Sequence, residues 1–325
     1  VLTAYTIGPN GPADLPVVSD TIGPEASWVD LFSPTAGEEA LAEAFLGTEI
    51  PTREETQEIE FSSRFYVEDG VVVMTASLLS GVDDGEPALT PFSFAIGKRK
   101  IVTLRYANPV AFRQFMARAA KPDMACTSPN GVFVGLLEAF IDRTADVLER
   151  ITQAVDKLNG EIFMRRANTR PNGRRLSVLI SGIGFQGDLA SKVRESLASM
   201  ERLIQFAATM VPDPNPKSSG QSARLKLALR DTRSLEDHVN FVLNKITFLL
   251  DATLGLVTNE QNQVLGVLTI VSTILLPPML IGTIYGMNFR DMPELNWQWA
   301  YPVALGAMVI SAVIPFVYFK WRRWL

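Results

Sequence analysis

Near the end of the chain two stretches carry no charged residue at all, Gln261 to Phe289 and Leu295 to Phe319. A helix rising about 1.5 Å per residue needs some 20 residues to cross the roughly 30 Å of hydrocarbon in a bilayer, and both stretches are long enough. Nothing earlier in the 325 residues is comparable. The hydrophobic fraction of 47% exceeds what a soluble protein needs, and the surplus lies in these two stretches. They impose a division: a water-soluble region, a first span over about residues 263–285, an outer loop at 286–298, a second span over about 299–319, and a basic tail at 320–325.

Orientation follows from the basic residues. The tail "KWRRWL" holds Lys320, Arg322 and Arg323, whereas the loop between the spans sets Arg290 against Asp291 and Glu294. Cytoplasmic segments carry the excess of Lys and Arg, so the tail is expected in the cytoplasm, and two spans return the N-terminal region to the same side. The opening "VLTAYTIGPNGPADLP" lacks a basic start followed by an apolar run, so no secretory signal is expected. The one cysteine, Cys126, fits a reducing compartment and excludes an intramolecular disulfide. All but two of the 35 acidic and all but four of the 30 basic residues precede residue 264, leaving the soluble part at −7. That argues against nucleic acid; it suits a surface that meets cations, or simply a mildly acidic cytosolic domain.

The first 110 residues or so mix strands with short helices. "VLTAYTI", "SWVDLF", "VVVMTASLL", "FSFAIG" and "KIVTLRY" are rich in β-branched and aromatic residues and are separated by Gly, Pro and Asp. "SPTAGEEALAEAFLG" reads as a helix with Ser33 as N-cap and Gly47 as its stop, and "TREETQEIE" as another. From Gly131 the pattern changes. Phe133, Leu136, Leu137, Phe140, Ile141, Val147, Leu148, Ile151, Val155, Leu158 and Ile162 recur every three or four residues, the mark of a long amphipathic helix. "NTRPNG" breaks it, a second helix is expected from about Leu176 to Thr209, and "VPDPNPKSSG" is the clearest loop. A third helix, from about Ser222 to Tyr285, meets no breaker before Pro277 and Pro278 and would run for roughly 90 Å, from the soluble region into the membrane.

Ordinary enzyme chemistry finds no footing. His238 is the only histidine, which excludes a multi-histidine metal site, and Cys126 has no motif around it. "SGIGFQG" is not a phosphate-cradling loop; close helix packing is the better reading, and no nucleotide site is visible. What remains is the first span. Steps of three and four from Asn262 give Leu265, Thr269, Ser272, Leu276, Met279 and Thr283, a 3.5-residue seam of small, polar and unbranched side chains. Such a seam is either a tight helix contact or, if several copies surround an axis, a pore lining in which hydroxyl rings alternate with Leu and Met rings. It ends at Gly286-Met287-Asn288.

That tripeptide alone is weak, but "YGMNFRDMPEL" directly after a span, followed by a short loop, a second span and a basic tail, resembles the CorA family of divalent-cation channels. "VTNEQNQVLGVLTIVSTILLPPMLIGTIYGMNFRDMPELNWQWAYP" is similar to the family's pore helix and loop, "NFVLNKITFLLDATLG" to its stalk, and "WVDLFSP" and "FAIGKRKIVTLR" to its N-terminal domain. The resemblance implies a CorA-like funnel: an α+β cytoplasmic domain (1–125), a long helical stalk (126–262) and two C-terminal transmembrane helices (263–325) in the inner membrane of a bacterial-type cell, both termini cytoplasmic, assembled as a homopentamer. It implies passive uptake of Mg²⁺, with Co²⁺ and Ni²⁺ as further passengers, and no catalytic cofactor. Gly286, Met287 and Asn288 would form the selectivity filter. Asp291 and Glu294 would either concentrate cations at the mouth or merely keep the loop wet. Asn262 matches a second polar ring, and Leu265, Leu268 and Leu276 the apolar constrictions; whether Leu268 or Thr269 faces the axis stays open. Cytoplasmic Mg²⁺ held between subunits would close the channel, with Asp231, Glu236, Asp237, Asp83 and Asp84 as candidate ligands. The competing readings are a zinc-transporting member of the superfamily, which departs from the GMN and MPEL pattern, and a membrane-anchored oligomeric scaffold without ion flux.

Overall fold

A computed structural model describes residues 1–8, 11–15, 21–58, 60–119, 126–163, 173–211, 220–288, 292–322 and 324. The chain divides into two compact units, residues 1–170 with 178–250 and residues 171–177 with 251–325.

The first unit is built on a seven-stranded sheet. Its strands are β1 (Leu2–Gly8), β2 (Gly11–Leu15), β3 (Trp28–Phe32), β4 (Phe65–Glu68), β5 (Val71–Ser80), β6 (Ala88–Ile96) and β7 (Ile101–Arg105), in the order β2-β1-β3-β7-β6-β5-β4. Only β3 and β7 pair in parallel; every other neighbour is antiparallel. All five expected strands are present. The two that the sequence pattern did not reveal, β2 and β4, are the edges, where a strand is short and one side lacks a partner.

Side chains alternate across this sheet, so it has two apolar faces. On one, Val29, Leu31, Val73, Ala95, Val102 and Leu104 join Ala42 and Phe45 of α1 (Ala36–Leu46) in a buried cluster. On the other, Trp28, Phe92 and Phe94 meet Phe112 and Phe115 of α4 (Val110–Ala119) and Phe133 and Phe140 of α5 (Pro129–Phe163) through edge and tilted ring contacts 5.1–6.2 Å apart. This second face also holds a buried polar chain. Trp28 Nε1 donates to Thr103 Oγ1 at 3.0 Å, which donates to Asp30 Oδ1 at 2.7 Å, and Asp30 pairs with the Arg105 guanidinium at 3.0 Å. Arg105 also donates to the Ala107 carbonyl and Asn108, and its guanidinium lies 4.1 Å from the Phe112 ring centroid. Burial with further hydrogen bonds on both partners is what makes such a pair tolerable.

One cap differs from expectation. Thr35, not Ser33, caps α1, in a capping box closed by Glu38, with Gly47 in the left-handed conformation ending the helix. Ser33, at φ 43°, instead donates its N–H to the Arg105 carbonyl and extends the β3–β7 pairing, which moves the helix start two residues on. The "TREETQEIE" helix is one short turn, α2 (Arg53–Gln57), followed by α3 (Phe61–Arg64).

Three long helices follow: α5, α6 (Gly173–Met210) and α7 (Gln221–Tyr285). The expected apolar face of α5 is buried except Leu158, which is half-buried. On α7, Leu225, Ala228, Thr232, Val239, Val242, Ile246, Leu249 and Thr253 form a buried row at the same three-four spacing. Polar pairs flank it: Arg224 with Glu138 at 2.7 Å and Lys245 with Asp156 tie α7 to α5, and Arg233 with Glu201 at 2.7 Å ties it to α6. The order of these pairs makes α7 parallel to α5, while Arg233–Glu201 and the approach of Gly187 to Ile246 make it antiparallel to α6. Ser199 of α6 accepts the Ser77 N–H of β5 at 2.9 Å, pinning the helices to the sheet. In "SGIGFQG", a Cβ at Gly182 or Gly187 would meet Leu158 or Ile246 at 3.4–3.5 Å, so the run does sit in helix contacts. The loops "NTRPNG" and "VPDPNPKSSG" fall almost wholly outside the described residues.

The second unit holds the far part of α7, a 3-10 turn (Pro293–Asn296) and α8 (Ala300–Trp321). Both α7 and α8 are long and apolar enough to cross a membrane. The helix α7 continues through Pro277 and Pro278, and α8 through Pro315, as membrane helices allow.

Candidate ion-conduction site

The membrane stretch of α7 has two faces. Ile270 is buried, and Gly266, Ile274, Pro277, Pro278, Ile281 and Gly282 are half-buried; Gly282 belongs to the contact with α8, where a Cβ would meet Met308 Cε at 3.4 Å. The seam residues Asn262, Leu265, Leu268, Thr269, Ser272, Leu276, Met279 and Thr283 are all exposed. At about 100° per residue their centre lies roughly 160° around the helix from the covered face. Leu268 and Thr269 flank that centre by about 60° and 40°, so both reach its edge.

Two hydroxyls on the seam have a fixed sense. Thr269 Oγ1 donates to the Leu265 carbonyl at 2.8 Å, and Thr283 Oγ1 to the Met279 carbonyl at 2.7 Å. A hydroxyl with its proton committed to the turn before it presents only lone pairs outward. These positions therefore offer acceptors, as the bound waters of a cation require.

Beyond Tyr285 the helix closes by tightening. Gly286 donates its N–H to the Gly282 carbonyl at 3.0 Å and Met287 to Ile284 at 3.3 Å. Gly286 is not in the left-handed region; its lack of a side chain matters because a Cβ would sit 3.2 Å from the Gly282 oxygen. The carbonyls of Thr283, Tyr285 and Gly286 meet no donor among the described residues, and the helix C-terminus adds its partial negative charge there. Met287 and Asn288 are exposed at this end. The exposed Asn288 thus follows directly on carbonyls that meet no donor among the described residues, all of them acceptors. Asp291 lies outside the described residues, and Glu294 falls in the 3-10 turn, its side chain likewise outside.

The acids expected to regulate do not gather within one chain; among the described residues no three Asp, Glu, His or Cys side chains are placed to hold a metal ion. Asp83, at the β5–β6 turn, is gripped by two arginines of α5, Arg143 at 2.6 Å and Arg150 at 2.9 Å. The hydrogen bonds from Arg150 and Arg143 hold its carboxyl below the usual carboxylate range. Asp84, next to it, is exposed. Asp231 and Asp237 are exposed on α7. Asp231 adds its charge to that of Asp142 on α5, whose carboxyl is raised first by burial, against the pull of Arg118. Glu236 is half-buried and is raised by burial and by Glu201 of α6, which also hydrogen-bonds it. The sequence did not single out Arg143, Arg150, Glu201 or Asp142. Each acts on a partner at least 35 residues away, beyond any local window.

Lys320 is exposed in the last turn of α8 and Arg322 is exposed just after it; Arg323 lies outside the described residues.

The family model described as CorA-like Mg2+ transporter protein matches residues 24–322. The chain is 32% identical over 299 residues to the magnesium transport protein CorA of Yersinia pestis, covering 92% of each. It is 31% identical over 326 residues to that of Salmonella typhimurium (strain LT2), covering all of both. Among solved structures, the CorA magnesium transporter from Methanocaldococcus jannaschii matches with a TM-score of 0.73 over 100% of this chain and 99% of its own, at 17% identity, a likeness of fold.

Proposed function

Because the chain belongs to the CorA-like Mg2+ transporter family, we propose that it transports Mg²⁺ passively through a membrane, along a path lined by the α7 seam of several copies. The observation that carries this reading is the exposed seam, opposite the face that meets α8, ending in acceptor groups at Asn288. In a homopentamer five such seams enclose an axis.

Mg²⁺ gives up its octahedral water shell reluctantly, so a fast filter must hold the hydrated ion. The Asn288 side-chain oxygens and the Gly286 carbonyls accept hydrogen bonds from the coordinated waters without adding a fixed charge that would trap the ion. Met287 packs beside them. Below, the Thr283, Ser272 and Thr269 hydroxyls and Asn262 repeat the same chemistry at intervals, and Leu276, Leu265 and Leu268 narrow the path where it can dewet and close. A divalent ion moving inward through about 100 mV gains roughly 4.6 kcal/mol, so no coupled energy source is needed.

With the positive-inside rule placing the α/β unit and the segment after α8 in the cytoplasm, Asp291 and Glu294 stand at the outer mouth and the stalk acids meet cytosolic Mg²⁺. Regulatory closure then uses Asp231, Glu236, Asp237 and Asp84 between subunits, with Asp83 free to take part only after leaving its arginines. Co²⁺ and Ni²⁺, which carry similar water shells, follow the same path.

Reconstitution in liposomes tests the reading: Mg²⁺ entry driven by an inside-negative potential is expected in the wild type and lost in Asn288→Ala. Entry at the wild-type rate in that variant would sink the filter assignment, and no entry in the wild type would leave the scaffold reading standing.

A further inference from the structure

We propose that the end of α8 is a binding site for the anionic headgroups of phospholipids in the leaflet where that helix ends. The proposal rests on α8 spanning a bilayer and not on which ion crosses it.

The helix carries exposed aromatic side chains at both ends. Trp297, Trp299 and Tyr301 lie at one, and Tyr318, Trp321 and Trp324 at the other. Tyr301 and Trp321 are 20 positions apart, about 30 Å along the helix, which is the thickness of the hydrocarbon layer, so each aromatic set falls at an interface. The two ends differ in charge. Beside Tyr318, Trp321 and Trp324 stand Lys320 and Arg322, and neither has a carboxylate within ion-pair distance among the described residues.

The chain does not simply run on from the helix at this point. Trp324 donates its N–H to the Phe319 carbonyl at 3.0 Å, and its ring stacks on Phe319 at 5.8 Å, leaving Phe319 only 8% exposed. Arg322 donates its N–H to the Tyr318 carbonyl, and its guanidinium lies 6.0 Å from the Tyr318 ring centroid. The turn folds an indole back along the helix and keeps the Arg322 side chain beside an aromatic face at the same depth. Trp321, 78% exposed, stands free.

A phosphodiester supplies what Lys320 and Arg322 do not meet among the described residues, a negative charge with acceptor oxygens at headgroup depth. The indole N–H groups are further donors to the same layer. A helix C-terminus by itself also favours cations, but that interaction is internal to the chain and indifferent to which lipid surrounds it. Attraction to an anionic surface is not: it amounts to roughly fivefold in local affinity for each Lys or Arg at the surface.

Full-length protein is reconstituted into bilayers of phosphatidylcholine in which either brominated phosphatidylglycerol or brominated phosphatidylcholine is present at one low mole fraction. Tryptophan quenching is read in a Trp297→Phe/Trp299→Phe background, so that the lipid-exposed indoles are those at 321 and 324. Stronger quenching by the brominated anionic lipid is expected. The preference should vanish in Lys320→Gln/Arg322→Gln/Arg323→Gln and survive in Lys320→Arg. Oligomer size on gel filtration shows that the neutralised protein is still assembled. Equal quenching by the two lipids, or a preference that outlasts neutralisation, overturns the proposal while leaving the span intact. Quenching by neither lipid overturns both the proposal and the placement of α8 in the bilayer.

Discussion

Replacing Thr283 by Val keeps the shape of the side chain, removes the hydroxyl and leaves the α7 backbone ladder untouched. The proton of that hydroxyl is already committed to the Met279 carbonyl, so the variant deletes an outward-facing acceptor and little else. If the water shell of a passing ion bonds two hydroxyls of the ring at once, at about 1 kcal/mol each, roughly 2 kcal/mol is lost where the ion crosses that ring. A barrier higher by that amount slows passage about thirtyfold. Thr273 is the control. It makes the same bond, to the Thr269 carbonyl at 2.8 Å, and is likewise exposed, but lies about 80° from the centre of the seam. Mg²⁺ entry into liposomes, followed with an internal fluorescent indicator at fixed membrane potential, should fall by one to two orders of magnitude in Thr283→Val and change less than about threefold in Thr273→Val. Equal effects at the two positions, or a larger one at Thr273, would refute the placement of the path along the seam.

Three further outcomes concern the first unit. Arg105→Met leaves the Asp30 carboxylate buried without its cation and should cost about 3–5 kcal/mol, read as a lowered midpoint in urea unfolding of the α/β unit. The Glu236 carboxyl is raised in the fold, so the fold binds its proton more tightly than the unfolded chain does; its contribution is fully present below the ordinary value of 4.5 and is lost as pH rises through the raised one. Glu236→Gln should therefore flatten the fall in melting temperature between about pH 4.5 and neutrality; an unchanged slope would count against the Glu201 contact. Asp83 has the opposite sign: its carboxyl is lowered, so its contribution is present above the ordinary value of 3.8 and disappears as pH falls through the lowered one. Asp83→Asn should loosen the β5–β6 turn from α5, seen as faster amide exchange over residues 81–86.

How much of this was legible beforehand depends on whether a feature is local. The five inner strands were readable because each buries alternating or continuous apolar residues on a two-faced sheet, whereas β2 and β4 were not, since "GPADL" and "FYVE" become strands only by pairing with β1 and β5. Ser33 was a fair cap by residue type, yet the β3–β7 pairing claimed its N–H first and Thr35 took the role. On the candidate site, the seam could be read from its 3.5-residue period, which is written into the chain itself, whereas Gly286-Met287-Asn288 stood out only through the resemblance of its surroundings to a known family.

Charge-free length, the seam and the helical periods are properties of a single stretch facing one solvent, water or lipid, and the amino-acid order suffices for them. Which acid is free and which is spoken for is another matter. Asp83 and its arginines are 60 and 67 positions apart, and Glu236 and Glu201 belong to antiparallel helices. Such pairings exist only once sheet and helices have packed, since a charge responds to what lies within a few ångströms and not to its neighbours in sequence. Only the packed molecule could decide that the seam is left open opposite the face meeting α8, and that Lys320 and Arg322 meet no carboxylate among the described residues.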